Sequence, residues 1–438
     1  MDKINIEALY AHIQGLTGST TDYDALLHMI GDAQVVMLGE ASHGTHQFYA
    51  MRAQITQRLI TEKNFNAVAI EGDWPDAYQV NRYIQDLHYT SALQALASFD
   101  RFPTWMWRNV PMVEFIEWLK KHNQPQEHLA KVGFYGLDMY SLYRSADVII
   151  KYLEKINPQA AAEARYHYSC FDQYRQDPQL YGYAVFSQAI QSCAGDVIEQ
   201  LKRLQEDTYD WLGEGKISAD DAFYIEQNAL VVKNAEAYYR ALFMNDKNTW
   251  NLRDSHLFDT LKALMKHYEL KGIKQPKIIV WAHNSHVGDA RATQMSMHGE
   301  YNIGQLAKEY FGTKAVSVGF TTYQGTVSAA SDWHAPVERK KVRKALVGSY
   351  EALFHELQPS DFLYVTPHKK LLPENLLERA IGVVYLPEAE RVSHYFYADI
   401  EKQFDAIIHC DTTRAVEPLE KTEIWITGEV PEAYPSGL

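Results

Sequence analysis

The 438-residue sequence predicts an α/β protein with a mostly parallel central sheet flanked by helices, and a large all-helical insertion beside a cleft. Apolar, β-branched runs of strand length recur through the first and last thirds, separated by segments with helical spacing. Between about residues 144 and 271 the strand-like runs stop and long helical stretches take over. We therefore predict an α/β core in two halves, residues 1–144 and 272–438, with a helical insertion over residues 145–271.

The first half of the core is predicted to contain three strands and two helices. The strand-like runs are Val35–Leu38, Ala67–Ile70 and Val132–Leu137. A helix from about Thr45 to Lys63 is predicted because four apolar side chains recur at helical intervals and form one stripe: Phe48, Met51, Ile55 and Leu59. A second helix is predicted to run to about Leu87, with Pro75 in its first turn and Asp73 placed to cap it.

The second half supplies five more candidate strands: Ile278–Trp281, Ala315–Phe320, Phe362–Val365, Gly382–Leu386 and Ala406–His409. The segment Thr321–Asp332, rich in Gly, Ser, Thr and Ala, is predicted to be an exposed loop or a weak hairpin. In the insertion, helical spacing is clearest over Ala184–Leu204 and Ala219–Met244. Its tyrosines are interpreted mainly as packing residues, with the lining of an apolar cleft as the alternative: Tyr166, Tyr168, Tyr174, Tyr181, Tyr183, Tyr224, Tyr238 and Tyr239.

Composition argues against several classes of protein. The net charge of -14 does not suit the broad basic surface that binds phosphate backbones, so nucleic acid is not an expected partner. Three widely spaced cysteines without a C-x-x-C motif, Cys170, Cys193 and Cys410, support neither a disulfide framework nor a thiolate zinc site, and fit the reduced cytosol. The sequence shows no signal-peptide pattern and no run near the roughly 20 apolar residues of a membrane span. We expect a cytoplasmic protein without a membrane partner, of unspecified oligomeric state.

Two distant blocks of the sequence share a pattern in which an apolar run ends in a polar turn with two histidines three positions apart. His43 and His46 follow the first run, and His283 and His286 follow the run that ends at Trp281. Histidine can exchange a proton near neutrality because its ordinary pKa is about 6.5. Since parallel strands present their carboxyl ends at one edge of a sheet, six residues are expected to share one rim: Glu40, His43, Glu71, Asp138, His283 and His286.

Several familiar catalytic signatures are absent from the sequence: G-x-S-x-G, the G-x-x-x-x-G-K-[ST] phosphate loop, G-x-G-x-x-G and H-E-x-x-H. Histidine combined with carboxylate remains. We predict that His43 removes a proton from water, while Glu40 or Glu71 orients the ring and stabilises the imidazolium. His283 and His286 would then hold a developing oxyanion or protonate a leaving alcohol.

Simpler structural interpretations accompany this hypothesis. His46 is expected in the first turn of a helix, where a structural role is favoured, and Arg52 suits a solvated helix residue. Asp138 is a weaker candidate, as is Arg253, because an Arg–Asp neighbour pair is usually a surface or bridging ion pair. Four residues are retained as candidate substrate-binding groups: His46, Asp73, Asp138 and Arg253.

Three segments resemble the signature segments of the erythromycin esterase family: Val36–Gly44, Ala69–Glu71 and Trp281–His286. The resemblance covers the chain from about Gln34 to about Leu419. It implies a hydrolase that opens a macrolactone ester, such as that of erythromycin, without a serine nucleophile. It also implies a function in antibiotic resistance. It further implies that His43 is the general base, that the fold is an α/β core with a helical portion beside a deep active-site cleft, and that the rest of the active centre is Glu40, Arg52, Glu71, His283 and His286.

Two alternatives use these residues differently. A metal-dependent hydrolase could bind zinc, manganese or iron through the same histidines and carboxylates, Asp138 included. A non-catalytic protein could instead bind haem or another small apolar molecule in the cleft, with histidines as axial or hydrogen-bonding groups. The favoured prediction is a metal-independent ester hydrolase without a cofactor, whose partner is a small-molecule ester or macrolactone.

Overall fold

A computed structural model describes residues 6–127, 130–243 and 249–428 of the chain. Eleven strands lie in these ranges: β1 Ile13–Gly15, β2 Val35–Leu38, β3 Ala67–Asp73, β4 Gly133–Asp138, β5 Ile278–Trp281, β6 Ala315–Ala329, β7 Glu338–Val342, β8 Phe362–Val365, β9 Leu376–Arg379, β10 Tyr395–Ala398 and β11 Ala406–Thr413.

The α-helices in the same ranges are short in the terminal parts of the chain and long in its middle. They are α1 Ile6–Tyr10, α2 Asp24–Ile30, α3 His46–Lys63, α4 Trp74–Ile84, α5 Ala92–Leu96, α6 Val110–Asn123, α7 Leu142–Ile156, α8 Pro158–Tyr168, α9 Pro178–Phe186, α10 Ala194–Gly213, α11 Ala219–Ala241, α12 Thr249–Leu270, α13 Asn284–Val287, α14 Ile303–Phe311, α15 Tyr350–His355, α16 Glu390–Ser393, α17 Ile400–Gln403 and α18 Glu423–Thr427.

The chain divides into two compact units. Unit 1 comprises residues 1–69, 80–133 and 275–438, and unit 2 comprises residues 70–79 and 134–274. Strand β3 begins in unit 1 and ends in unit 2. The predicted three-part division at residues 144 and 271 stays a prediction.

The sheet of unit 1 has the strand order β1-β8-β11-β6-β2-β5-β3, and β7 pairs with the far part of β6. Strand β2 pairs in parallel with both β5 and β6, through the registers Val35↔Ile278 and Val35↔Ala315. Strand β11 is parallel to β6, whereas β8 and β1 are added antiparallel at the edge. This largely parallel sheet with flanking helices confirms the predicted fold class.

Strands β2 and β5 are buried along their whole length. A strand covered on both faces needs apolar side chains at successive positions, which explains why both read as continuous apolar runs. For that reason their bounds match the prediction residue for residue. Helix α3 also lies where the apolar stripe placed it, one residue after the predicted start.

The prediction of a loop over Thr321–Asp332 is wrong, because β6 continues to Ala329. Gly325, with φ of 140°, pairs with Thr413 of β11 and with Val342 of β7, so the strand changes partner there and continues as an antiparallel, partly buried pair with β7. The polar side chains that suggested a loop have internal partners, such as Ser328 Oγ, which donates to the Val416 carbonyl at 2.6 Å.

The predicted strand Gly382–Leu386 is also wrong. Val383, Val384 and Tyr385 are buried or half-buried and Leu386 is exposed, and the one β-bridge that this segment makes joins Val384 to Ala330. Sequence reasoning missed four strands: β1, β7, β9 and β10. These are short and lie at an edge or in the separate two-stranded sheet of β9 and β10, where alternation is weak.

Unit 2 adds no strand in its described residues after Asp138. The predicted helix Ala184–Leu204 is interrupted, since α9 ends at Phe186 and α10 begins at Ala194. The predicted helix from Ala219 ends at Ala241, and its predicted last residue, Met244, lies outside the described residues.

The tyrosines of unit 2 largely form its interior. Buried rings include Tyr168, Tyr181, Tyr224 and Tyr239, as the packing interpretation predicts. The Tyr224 ring stacks on Tyr78 with centroids 3.7 Å apart. Tyr166 and Tyr183 are instead exposed.

The expectation that the cysteines form no disulfide is wrong for one pair. Cys170 and Cys193 are joined, with their Cα atoms 6.2 Å apart, whereas Cys410 is a buried free thiol. The two cysteines are 23 positions apart with α9 between them, and their proximity depends on tertiary packing that spacing in the sequence does not reveal. The cytoplasmic location was predicted partly from three reduced thiols, and this bond removes that support. The location stays a prediction.

Over the described ranges 6–127, 130–243 and 249–428, no helix combines the length and the apolarity needed to cross a bilayer.

Candidate active site

The turn after β2 is buried and closely packed. A Cβ atom at Gly39 would collide with the Asn284 side chain, and one at Gly44 would collide with the Ser328 backbone. The Gly44 carbonyl accepts hydrogen bonds from the backbone N–H groups of Ser328 at 3.0 Å and Val416 at 2.8 Å. Only glycine permits these approaches, so the turn that carries Glu40 and His43 is held against β6 and the chain after β11.

Glu40 and His43 form a hydrogen-bonded pair within this turn. His43 Nδ1 lies 2.9 Å from Glu40 Oε1, with Glu40 fully buried and His43 only 7% exposed. An ionised carboxylate can only accept, so His43 Nδ1 carries the proton and donates. In the neutral ring the lone pair is therefore on Nε2, which is the atom that can take a proton from water.

Arg52 fixes the other oxygen of the same carboxylate. Its Nη2 donates to Glu40 Oε2 at 2.6 Å, and the Arg52 side chain is completely buried. The guanidinium lies over the rings of Tyr49 and Trp281, 4.7 and 4.9 Å from their centroids. Arg52 thus belongs to the buried cluster of Glu40 and His43, and the interpretation of it as a solvated helix residue is wrong.

Tyr49 is a residue of this cluster that sequence reasoning missed. Its hydroxyl lies 2.7 Å from the carbonyl oxygens of both His43 and Met106, and its single proton is shared between them. The ring is one helical turn before Arg52 on α3 and covers one face of the guanidinium. Tyr49 lies three positions before Arg52, so the two side chains share one face of the helix. That spacing could identify Tyr49 only after the structure showed that Arg52 is buried.

The second histidine turn follows β5 and begins the short helix α13. His283 Nδ1 accepts the backbone N–H of Ser285 at 3.2 Å, as an N-cap. A nitrogen that accepts an N–H bond is unprotonated, so neutral His283 carries its proton on Nε2. His286 is buried in the same turn of helix.

The two turns lie side by side, as predicted. The rings of His43 and His283 have centroids 5.0 Å apart at an angle of 57°. Their hydrogen bonds give the two imidazoles opposite tautomers, an acceptor at His43 Nε2 and a donor at His283 Nε2. A proton acceptor thus lies next to a hydrogen-bond donor in this pair of rings.

Asn284 connects the turns after β2 and β5 to the middle of β6 and was not singled out from the sequence. Its backbone N–H donates to the Glu40 carbonyl at 2.9 Å. Its side-chain Nδ2 donates to the Phe320 carbonyl at 2.7 Å, and its Oδ1 accepts the Phe320 N–H at 3.2 Å. The side chain therefore ties the turn after β5 to the backbone of β6, while the main chain ties it to the turn after β2.

Unit 2 contains a separate ionic cluster built from three of the predicted residues. Arg253 Nη2 donates to Glu71 Oε1 at 2.7 Å and to Asp138 Oδ2 at 2.6 Å, with both carboxylates buried. Burial alone would raise the pKa of Asp138, but the charge and hydrogen bonds of Arg253 outweigh it and lower that pKa. The Arg253 ion pairs are thus buried bridges between elements rather than a surface pair. Whether this cluster and the histidine turns share one rim stays a prediction.

The two remaining candidates are placed as follows. Asp73 is the last residue of β3 and is buried. His46 opens α3, is half-buried, and lies 2.6 Å from the guanidinium of Arg414 through its Nε2. Burial and the neighbouring Arg414 charge lower the pKa of His46, which keeps it neutral and suits the structural role.

In the described part of the chain, no three His, Cys, Asp or Glu side chains are grouped so that they could hold a metal ion. In the Glu40 cluster, one carboxylate oxygen binds Arg52 and the other binds His43.

A sequence model of the erythromycin esterase family matches residues 60–413, most of the chain. The chain belongs to the erythromycin esterase family. The matched range includes Glu71 and the second histidine turn, and it begins after the turn that carries Glu40 and His43. Membership in the erythromycin esterase family supports a hydrolase.

Similar proteins are known at low identity. The chain is 20% identical over 428 residues to erythromycin esterase type II of Escherichia coli, covering 90% of this chain and 93% of the relative. Among solved structures it is similar to a succinoglycan biosynthesis protein, with a TM-score of 0.74 and 21% identity over 94% of this chain and 97% of the other. It is also similar to a mutant of the erythromycin esterase EreC in its open conformation, with a TM-score of 0.67 and 15% identity over 93% and 96%. These structures share the fold.

Proposed function

We propose that this protein hydrolyses a carboxylic ester or macrolactone, of the kind found in erythromycin-type macrolides, with water activated by His43 and without a covalent serine intermediate. The observation that carries the proposal is the hydrogen bond from His43 Nδ1 to Glu40 Oε1, with the second oxygen of Glu40 held by Arg52. This arrangement leaves the lone pair of His43 on Nε2 and supplies a fixed negative charge for the imidazolium that forms.

In the proposed reaction, His43 Nε2 takes a proton from water while the water oxygen attacks the ester carbonyl carbon. The carbonyl oxygen becomes an oxyanion that accepts a hydrogen bond from His283 Nε2. Collapse of the tetrahedral intermediate breaks the bond to the alcohol oxygen, which takes the proton from the His43 imidazolium. The products are a carboxylic acid and an alcohol, and when the substrate is a lactone both groups belong to one ring-opened molecule.

The remaining residues have supporting roles in the proposal. Arg52 holds the Glu40 carboxylate in place, and His286 is assigned to the active centre beside His283. Glu71 is assigned to the active centre through the family resemblance. The substrate-binding candidates Asp73, Asp138 and Arg253 are charged groups of unit 2, and an acidic protein would suit a macrolide that carries a protonated amino sugar.

The test is incubation of the purified protein with a panel of macrolides, simple lactones and small esters, followed by mass spectrometry for the gain of one water. Ring opening of a macrolide that is lost in His43→Gln supports the proposal. Hydrolysis of small esters alone would contradict the macrolide substrate and leave the ester reaction standing. No hydrolysis across the panel would contradict the function itself.

A second measurement separates this mechanism from a metal-dependent one. Protein that has never met a nickel column is analysed for metal, and its activity is measured before and after chelation. Unchanged turnover after chelation supports water activation by His43 alone. Stoichiometric metal together with loss of turnover on stripping would contradict it.

A further inference from the structure

The side chain of Glu378 lies completely buried beneath the second histidine turn. Glu378 belongs to β9 and has no exposed surface. Its Oε1 accepts a hydrogen bond from Asn284 Nδ2 at 3.3 Å, and the side-chain amide of Gln403 on α17 interacts with the same carboxyl. Its Oε2 is buried without a hydrogen-bond partner.

Among the described residues, no cationic side chain is found with the groups that act on Glu378. Asn284 of α13 and Gln403 of α17 are neutral amides. The titratable groups that interact electrostatically with Glu378 are both on α15: Glu351, another fully buried carboxyl, and the buried phenol of Tyr350. The guanidinium of Arg379, the next residue on β9, points to the opposite face of the strand, where it donates to the carbonyls of Thr322, Tyr323 and Arg343. An ionised Glu378 would therefore be a buried charge without a counter-ion.

Burial is the main cause that raises the pKa of Glu378 well above its usual value, and the Glu351 carboxyl raises it further. A buried charge without a partner is costly, so the neutral acid is the form consistent with this surrounding.

Asn284 connects Glu378 to the proposed site. Its backbone bonds the Glu40 carbonyl, its side chain bonds Phe320, and it lies between His283 and Ser285, the residues whose hydrogen bond sets the His283 tautomer. Gln403 gives a second connection, because its carbonyl accepts the Asp289 N–H at 3.0 Å, just beyond α13. Both neighbours of Glu378 thus hold the turn that carries His283.

We propose that Glu378 is a protonated carboxylic acid that positions Asn284, and through it the His283 turn, against the Glu40 loop. Glu378 is a positioning residue, and its role in turnover rests on the proposed function. Loss of its proton places an unpaired negative charge beneath the turn and weakens the site as the pH rises.

Protonation is tested directly by infrared spectroscopy, without substrate. The difference spectrum between wild type and Glu378→Gln at pH 7 is expected to show loss of a carbonyl stretch of a protonated carboxylic acid. The matched control is Glu351→Gln, which removes the neighbouring buried carboxyl and is expected to leave the Glu378 band in place. A Glu378→Gln spectrum that loses only carboxylate bands would overturn the proposal.

Positioning is tested by comparing two variants. Glu378→Gln keeps a neutral hydrogen-bonding group, so its kcat is expected to exceed that of Glu378→Met. Its kcat is also expected not to show the decrease at high pH that ionisation of Glu378 causes in wild type. Glu378→Met removes the acceptor for Asn284 and is expected to lower kcat roughly threefold to tenfold, the equivalent of one hydrogen bond, with little change in KM. A Met variant with wild-type kcat, or a Gln variant as impaired as the Met variant, would overturn the positioning role.

The ¹⁵N resonances of histidine provide a readout that does not depend on ester hydrolysis. The His283 signals are expected to shift in Glu378→Met and to stay in place in Glu378→Gln, whether or not the protein opens lactones. Failure of the proposed function would therefore show in the substrate panel, whereas unshifted His283 signals in Glu378→Met would overturn this inference alone. If the Met variant does not fold, the infrared test still decides the protonation of Glu378.

Discussion

Replacement of Arg52 with methionine tests the ionic centre of the candidate site most directly. Methionine retains an unbranched side chain that can lie between Tyr49 and Trp281 but removes the cation that binds Glu40. Glu40 is fully buried, so its carboxylate would keep only the hydrogen bond to neutral His43. The variant therefore leaves a buried anion without its counter-ion.

The magnitude follows from the contact geometry. At the 2.6 Å separation of Arg52 Nη2 and Glu40 Oε2, an effective dielectric constant of about 20 gives an attraction of about 6 kcal/mol. Measured losses from breaking one partner of a buried pair are lower, about 3–5 kcal/mol, and that is the expected fall in the free energy of unfolding. Turnover should fall as well, because Arg52 no longer holds the Glu40 carboxylate that orients His43.

The assay is urea unfolding of three variants against wild type. Arg58→Met is the matched control on the same helix, since Arg58 forms exposed pairs with Asp24 and Glu62 that are expected to contribute at most about 1 kcal/mol. The double variant Glu40→Gln with Arg52→Met should recover part of the lost stability, because it contains no buried anion. A loss for Arg52→Met no larger than that for Arg58→Met would refute the reasoning.

Three further predictions concern catalysis, pH and redox state. Replacement of His43 with glutamine should lower turnover by a factor on the order of 10² or more with an unchanged melting temperature, measured on any ester that the panel identifies; wild-type turnover would contradict the general-base role. Burial lowers the pKa of His256 to about 4, so its contribution to stability is complete above about 6.5 and is lost as the pH falls toward 4; the slope of unfolding free energy against pH should flatten there in His256→Gln. Reduction of the Cys170–Cys193 bond, 23 positions apart, should lower unfolding free energy by about 3 kcal/mol in wild type and have no effect in a Cys170→Ser, Cys193→Ser variant.

Glu378 adds a pH dependence of opposite sign to that of His256. Its pKa is raised in the folded protein, so the folded state holds the proton more tightly than the unfolded chain does. Stability is therefore lost as the pH rises from the ordinary carboxyl range, about 4.3, toward the folded pKa. Glu378→Gln should accordingly gain stability over wild type as the pH rises, which denaturation series at several pH values would measure.

The predicted ends of a strand were correct where the strand is buried on both faces and therefore appears as a continuous apolar run. Strands β2 and β5 are buried on both faces, so their continuous apolar runs defined both ends. The prediction ended β6 too early because the second half of the strand is rich in hydroxyl side chains. Their hydrogen-bond partners, such as the Val416 carbonyl for Ser328, come from a distant segment of the chain. Gly382–Leu386 shows the converse, in which apolar residues pack against the core without joining a ladder.

The candidate site follows the same division. Residue type and position at the ends of strands identified His43 and His283, because histidine can exchange a proton near neutrality and parallel strands bring their carboxyl ends together. Glu40 was identified on the same basis, but Arg52 was not separable from a solvated helix residue. Its complete burial between two aromatic rings depends on residues from α3 and β5 together.

The sequence by itself determined the α/β class, the two histidine turns and the residue types that can exchange protons, because these depend on local periodicity and on intrinsic chemistry. Only the tertiary structure decided the tautomers of His43 and His283, the counter-ion of Glu40 and the isolation of Glu378 from any cation. Hydrogen-bond partners and dielectric surroundings come from segments far apart in the chain, so proton positions are properties of the fold.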